Sequence, residues 1–219
     1  MKELLMEVNI QIMNLQKLYL EINKHLLNDL EPSIYLNEIY DKPAFKKFPF
    51  DMLYKLKETE QSKIHHPEGN VWNHVMLVVD EAAKLKVKSK NSQDFMWAAL
   101  LHDIGKPSTT KNRKGKITSY DHDKVGEELS EQFLNVFTDD RDFVYRVSKL
   151  VKYHMQILFV ANNLPFADIE SMKLETDYKE IALLGFCDRM GRTNSSKKVE
   201  EENIKRFLKV CKNFKLNRV

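Results

Sequence analysis

The 219-residue sequence has only two cysteines, Cys187 and Cys211, and no CxxC pair. That excludes a disulfide framework in a chain this long, removes the commonest thiolate zinc spacing, and fits a reducing cytoplasm. Long apolar runs are missing as well: none approaches the ~20 residues of a membrane span. The opening MKELLMEVNI carries Glu3 and Glu7, which breaks a signal-peptide pattern. No surplus of one charge exists, since 35 basic and 32 acidic residues leave +3. Composition alone therefore does not demand a nucleic-acid partner, and any basic footprint has to be local. There is no internal repeat, no low-complexity tract and hardly any strand-like alternation. A hydrophobic content of 42% is enough for one globular domain of ordinary size with an extension.

What is present is helical periodicity. Leu4, Leu5, Val8, Ile12, Leu15, Leu18, Tyr19, Ile22, Leu26 and Leu27 recur at three- and four-residue steps, predicting one long amphipathic helix that stops before Pro32. Pro43, Phe45, Phe48, Pro49 and Phe50 read as a packed aromatic connector, after which Asp51 can cap a short helix to about Glu58. Nothing in this opening stretch looks catalytic. From Val71, capped by Asn70, a second stripe of Val71, Val75, Val78, Val79 and Ala82 includes His74.

The centre of the chain is Phe95 to Pro107, FMWAALLHDIGKP. Phe95 to Leu101 are apolar all round, so this helix belongs inside a bundle. It ends in His102 and Asp103, with Gly105 suited to a left-handed position and Pro107 to a stop. A carboxylate in a dry interior needs a ligand or counter-charge, and a divalent metal at the helix end would answer both residues. Beyond it, Lys111, Arg113, Lys114 and Lys116 surround Gly115, predicting a turn or short hairpin with a basic tip, either a solvated loop or a lip that draws anions. Asp121 can cap a helix with His122 at its mouth and Val125, Leu129, Phe133 and Phe137 as its stripe. From about Asp140, Phe143, Val147, Leu150, Val151 and His154 share a face. Ile181, Leu184 and Asp188 put another carboxylate on an apolar face, in a helix ending at Gly191. Ser195 or Ser196 then caps a last helix, whose Val199, Phe207 and Cys211 should pack inward.

A lone histidine on such a stripe is more often a satisfied core residue than a ligand. Here His74, His102, Asp103 and Asp188 recur together, with His122 and His154 near helix ends. Histidine nitrogens with carboxylates suit a first-row divalent ion or Mg2+ with open positions, which activates water at neutral pH without a serine or cysteine nucleophile. Phosphate esters are the natural electrophile. Lys106 and Arg192 could each neutralise a phosphate oxygen or simply complement a helix C-terminus, whereas Arg189 suits a surface ion pair.

These residues carry a resemblance. His74, His102-Asp103 and Asp188 are similar to the H...HD...D signature of the HD-domain metal-dependent phosphohydrolases. HPEGNVWNH at 66–74, ALLHDIGKP at 99–107, DHDKVGEEL at 121–129, YHM at 153–155 and CDRMGR at 187–192 resemble the HD module attached to some bacterial CCA-adding tRNA nucleotidyltransferases. The resemblance runs from about residue 61 to 192 and implies an all-α, HD-type multi-helix bundle that hydrolyses phosphomonoesters or phosphodiesters, often in nucleotides. It implies His74, His102, Asp103 and Asp188 as metal ligands, with Asp103 also orienting the attacking water. His122 and His154 fall where related members hold a second ion or contact substrate phosphate, and Lys106 matches the family's lysine after the HD motif. Those nucleotidyltransferases carry a Gly-Ser and paired-aspartate head before the module. Residues 1–60 contain no such motif, which argues against nucleotide addition.

The expectation is thus an N-terminal helical extension, 1–60, followed by an HD phosphohydrolase domain, 61–219. A cytoplasmic hydrolase acting on a phosphorylated small molecule, a nucleotide or an RNA end, is favoured over a non-catalytic nucleotide- or RNA-binding module using the same pocket. One tightly held ion is favoured, with His122 and His154 facing the phosphate as hydrogen-bond or proton donors, because Glu68 and Glu127, the nearby carboxylates, sit on no clear stripe.

Overall fold

The computed structural model describes residues 2–216, with side chains from residue 10 onward. The chain is all-α apart from one small hairpin. Helix α1 (Lys2–Asn28) stops before Pro32, and α2 (Pro32–Ile39) begins on that proline, whose missing N–H costs nothing in a first turn. Leu15, Leu18, Tyr19, Ile22 and Leu26 of α1 are buried, but Ile12 is 59% exposed, so the buried stripe begins later than the periodicity predicts. Leu4, Leu5 and Val8 lie outside the residues whose side chains are described. In the connector Phe45 and Phe50 are buried, whereas Phe48 is exposed. Asp51 opens α3 (Asp51–Tyr54) from inside its first turn instead of capping it, and its carboxylate takes Lys55 at 2.7 Å.

The bundle proper follows: α4 (Val71–Leu85), α5 (Ser92–Leu101), α6 (Lys106–Thr109), the hairpin β1 (Lys111–Arg113) and β2 (Lys116–Thr118), then α7 (His122–Leu134), α8 (Arg141–Tyr153), α9 (Gln156–Ala161), α10 (Ile169–Glu175), α11 (Tyr178–Met190) and α12 (Lys197–Asn213). Helix α5 is the axis. Every side chain from Phe95 to Leu101 is buried, and α1, α4, α8 and α11 pack around it. An apolar helix with no polar face requires this surround. Asn70, Asn91, Asp140, Asp168 and Asp177 each accept a backbone N–H at the start of the helix they precede. Such caps are worth ~1 kcal/mol each.

Five further local expectations need correction. Gly105 has a right-handed φ of −78°, and Pro107, instead of stopping a helix, sits in the first turn of α6. Glycine is required at 105 for closeness, since a Cβ there would lie 2.1 Å from the His122 carbonyl oxygen. Asp121 is left-handed, at φ 59°, and turns its carboxylate to Lys124 at 2.9 Å, so it does not cap α7. Neither serine caps α12: Ser196 makes no cap bond and the Ser195 hydroxyl donates to the Arg189 carbonyl. Val199 is half exposed, while Glu200 takes the inward position and accepts from Arg189 Nε at 3.3 Å. The basic tip is a true hairpin, with Lys114 and Gly115 both at positive φ.

Candidate metal centre

The helices deliver their polar residues to one place. His74 comes from α4, His102 and Asp103 from the turn that ends α5, Lys106 from the start of α6, His122 from the start of α7, His154 from the end of α8 and Asp188 from α11. All are buried. His74 Nε2 lies 3.0 Å from Asp188 Oδ1 and 3.9 Å from Asp103 Oδ2. Asp103 is the hub: Oδ2 meets Lys106 Nζ at 2.7 Å and His102 Nε2 at 3.3 Å, while Oδ1 meets His122 Nε2 at 3.4 Å and His154 Nε2 at 3.9 Å. Arg192 stands 3.6 Å from Asp188 Oδ1. Two donor groups therefore share Asp103: His74, His102 and Asp103 on one side, and Asp103, His122 and His154 on the other.

The ring orientations follow from local hydrogen bonds. His102 Nδ1 donates to the Ala99 carbonyl at 2.8 Å, His122 Nδ1 to Ser119 at 2.7 Å and His154 Nδ1 to Val151 at 2.6 Å. A carbonyl can only accept, so the proton of each neutral ring is on Nδ1 and the Nε2 lone pair points inward. His102 Nε2 is buried without a hydrogen-bond partner. His122 Nε2 and His154 Nε2 face each other at 3.2 Å. His74 is held between two carboxylates, with Glu68 Oε1 2.9 Å from Nδ1 and Asp188 on Nε2. A neutral ring cannot donate to both. Lone pairs this close to each other and to carboxylate oxygens repel unless a cation lies among them, so the donor set fits a divalent metal ion.

The electrostatics lead the same way. Burial alone would raise Asp103, but Lys106 and then His102 hold its carboxyl well below the usual range; Arg192 and His74 do the same for Asp188. Burial would lower His102, yet Asp103 pulls it above its ordinary value, so the carboxylates favour positive charge where His102 Nε2 points. On the other side, burial pushes His154 down to about 4, helped by His122 and His102, and burial lowers His122 against the pull of Asp103. Those two rings are neutral at pH 7 and accept through Nε2.

In the 61–70 loop, sequence reasoning passed over Gln61 and gave His66 no role, and it set Glu68 aside as lying on no apolar stripe. The Glu68 side chain is buried, and its Oε1 accepts from His66 Nδ1 at 2.8 Å while lying against His74. Gln61 Oε1 accepts from Lys106 Nζ at 2.7 Å. The available signal was positional: HPEGN runs directly into the helix that carries His74. Glu127, by contrast, pairs with Lys149 and Lys152, away from the centre.

The family model described as the HD domain matches residues 71–184. The chain is 34% identical over 145 residues to the multifunctional CCA protein of Actinobacillus pleuropneumoniae serotype 5b, a stretch covering 64% of this chain and 33% of that protein. It is 24% identical over 200 residues to the multifunctional CCA protein of Mannheimia succiniciproducens, covering 88% of this chain and 47% of the relative. Against the protein of that name from Haemophilus influenzae it is 30% identical over 114 residues, 51% of this chain and 27% of the relative. The chain spans less than half the length of each of these relatives.

Proposed function

The chain belongs to the HD domain family, and from that membership we propose that it is a metal-dependent phosphohydrolase acting on a nucleotide or a nucleic-acid-end phosphate. The observation that carries the reading is the inward set of imidazole Nε2 atoms around Asp103 and Asp188, with ammonium and guanidinium groups at hand for an anionic substrate. In this reading His74, His102, Asp103 and Asp188 hold a divalent ion, a first-row transition metal or Mg2+. Such an ion supplies Lewis acidity that makes water a nucleophile near neutral pH and polarises a phosphoryl oxygen.

The chain's own residues do the rest. Asp103 presents one oxygen to each donor group, which places it to accept a proton from attacking water and to align that water. Lys106, held between Asp103 and Gln61, offers a further N–H to a phosphate oxygen and neutralises its charge. Arg192, against Asp188, does the same. Glu68 fixes the ring of His74 from behind, as carboxylates commonly do for metal-binding histidines. Residues 61–219 constitute the hydrolase unit in this reading and 1–60 its helical extension. Among the described residues no helix is long and apolar enough to cross a membrane, in keeping with a cytoplasmic enzyme.

One observation favours a second reading of His122 and His154. With Nδ1 spent on carbonyls and the rings neutral, their Nε2 atoms are acceptors, so together with Asp103 they would suit holding a second ion better than donating to phosphate. Metal analysis of protein purified without chelator decides: two tightly held ions, reduced to one in His122→Ala or His154→Ala, supports the second ion, and one ion in all three supports phosphate-facing imidazoles. Phosphate release from a panel of nucleoside monophosphates and 2′,3′-cyclic nucleotides with several divalent metals tests hydrolysis itself. Nucleotide binding without release in any combination would replace the enzyme with a binding module.

A further inference from the structure

Helix α12 carries two apolar stripes, and the bundle buries only one of them. Glu200, Phe207 and Cys211 lie on the buried stripe. Beside it runs a second, Lys197, Glu201, Ile204, Leu208 and Lys212, at steps of three and four residues, and this one lines an open groove of about 700 Å3. The facing wall is α11, whose Lys179, Leu183 and Phe186 follow the same spacing, and Leu85 and Lys88 close one side at the end of α4. The two helices run antiparallel. Arg189 near the end of α11 donates to Glu200 near the start of α12, while Lys173, which precedes α11, donates to the carbonyls of Cys211 and Phe214 at the far end of α12. Their stripes therefore form the two sides of a trough. From Lys197 to Lys212 it is about 22 Å long, at the helical rise of ~1.5 Å per residue.

The floor is apolar and the rim cationic. Leu85, Leu183, Phe186, Ile204 and Leu208 are half-buried, whereas Lys88, Lys179, Lys197 and Lys212 are exposed, against a single lining carboxylate, Glu201. Among the described residues none of these four lysines forms an ion pair, and the acids nearest in sequence to the α11 wall are already engaged. Asp177 pairs with Lys90 at 2.6 Å, Glu180 accepts from the Ser89 hydroxyl, and Glu200 accepts from Arg189. Free ammonium groups around an apolar trough attract an anionic partner that also brings apolar surface.

The placement of the lysines narrows that partner. A single-chain amphiphile has one anionic head and answers lysines at one end only, but Lys197 stands at one end of the α12 stripe and Lys212 at the other. Single-stranded nucleic acid has charge at every step, yet its bases gain most from aromatic rings, and this floor is mostly leucine and isoleucine. A third helix meets both demands: its apolar ridge fits a trough between two helices, and its flanks carry charge along the whole length. We propose that the α11–α12 trough docks an acidic amphipathic helix of a partner protein. Its apolar side chains at i, i+3 or i+4, and i+7 enter the trough, and its Asp or Glu flanks face Lys88, Lys179, Lys197 and Lys212. No metal-centre residue lines the trough, so the proposal stands independently of the hydrolase reading.

The test is fluorescence anisotropy on the full chain with a labelled, end-capped peptide of about 14 residues, close to four helical turns, bearing leucine on one stripe and glutamate on its flanks. Saturable binding is expected below about 1 mM. It should weaken at least about tenfold when lysine replaces every glutamate, and it should fall as salt rises. Lys179→Glu combined with Lys212→Glu, both changes at exposed positions, should weaken the acidic peptide about tenfold and strengthen the lysine peptide. Leu208→Gln should weaken both peptides. If that variant loses its helical circular-dichroism signal, the amide resonances of Leu183, Ile204 and Leu208 in the parent serve instead, and they should shift on adding the acidic peptide. No saturable binding, equal affinity for the two peptides, or shifts confined to other amides would each overturn the proposal. Tighter binding of labelled oligouridylate than of the acidic peptide, lost in the same double-lysine variant, would make the trough a nucleic-acid site instead. A dimer in sedimentation that the double-lysine change dissociates would make the occupant a second copy of this chain, and the partner assignment would fall.

Discussion

At the scale of single residues, Asp103 has the most neighbours to lose. Lys106 and four histidines face its carboxylate from two sides, so Asp103→Ala should abolish turnover and metal content together. Activity retained in a variant with depleted metal would reject its assignment. Gly105 makes a different demand. An added Cβ would meet the His122 carbonyl oxygen at 2.1 Å and the Gly126 nitrogen at 2.8 Å, both backbone atoms that can move only with α7. Gly105→Ala should cost about 1 to 3 kcal/mol in urea unfolding, as overpacking does, and also loosen His122. An unchanged midpoint would show that α7 moves aside freely. His74, His102, Asp103 and Asp188 were legible in the sequence because a titratable group on an apolar stripe is an anomaly that calls for a partner. Glu68 and Gln61 were not, since polar residues in the polar stretch 61–70 look ordinary until its fold turns them inward.

At the scale of elements, the longer helices followed from periodicity, but of the caps expected only Asn70 of α4 holds, whereas Asp51, Asp121 and the serines before α12 do not cap. Other failures were positions set by a neighbouring element: Gly105 by the approach of α7, Val199 by Glu200 turning inward to Arg189 of α11. Sequence spacing carries no information about which partner arrives. The link between α7, α8 and α10 is likewise invisible there. Glu175 of α10 accepts from Lys152 Nζ at 2.9 Å and Tyr153 Oη at 3.0 Å, with Lys149 at 3.1 Å, and Lys149 and Lys152 also pair with Glu127 of α7. Burial would raise Glu175, but the lysine and tyrosine bonds hold it below its ordinary 4.5. A depressed carboxylate contributes stability that is complete above its unfolded value and is lost as pH falls through its folded value. The stability difference between the parent and Glu175→Gln should therefore be constant from pH 7 to about 5 and shrink below about 4.5. A difference independent of pH down to 3 would mean that the contacts act without the charge.

At the scale of the whole molecule, the expected extension shares its core with the rest. Tyr19 of α1 stacks on Trp97 of α5 at 4.8 Å between ring centroids and on Phe137 at 4.6 Å, and Asn23 accepts from Trp97 Nε1 at 2.9 Å. The amphipathic stripe of α1 was readable, but a stripe does not say what it covers. Here it covers the helix that ends in His102 and Asp103. Tyr19→Ala should cost about 3 to 5 kcal/mol, the range for removing a buried aromatic ring. It should do so in a single unfolding transition followed by both tryptophan fluorescence and helix content. Two separated transitions would make residues 1–60 an independently folding piece.

The three carbonyl-tethered imidazoles also bear on the order of assembly. Each ring is caught by the chain only three residues back, so its aim is set by one local turn and needs no neighbour. The ends of α5 and α8 and the start of α7 can thus come together with their inward nitrogens already pointed, and docking has only to set the spacing. Withdrawing an ion from such a centre leaves the tethers whole. A chelator should then empty the site reversibly while the helical circular-dichroism signal stays where it was.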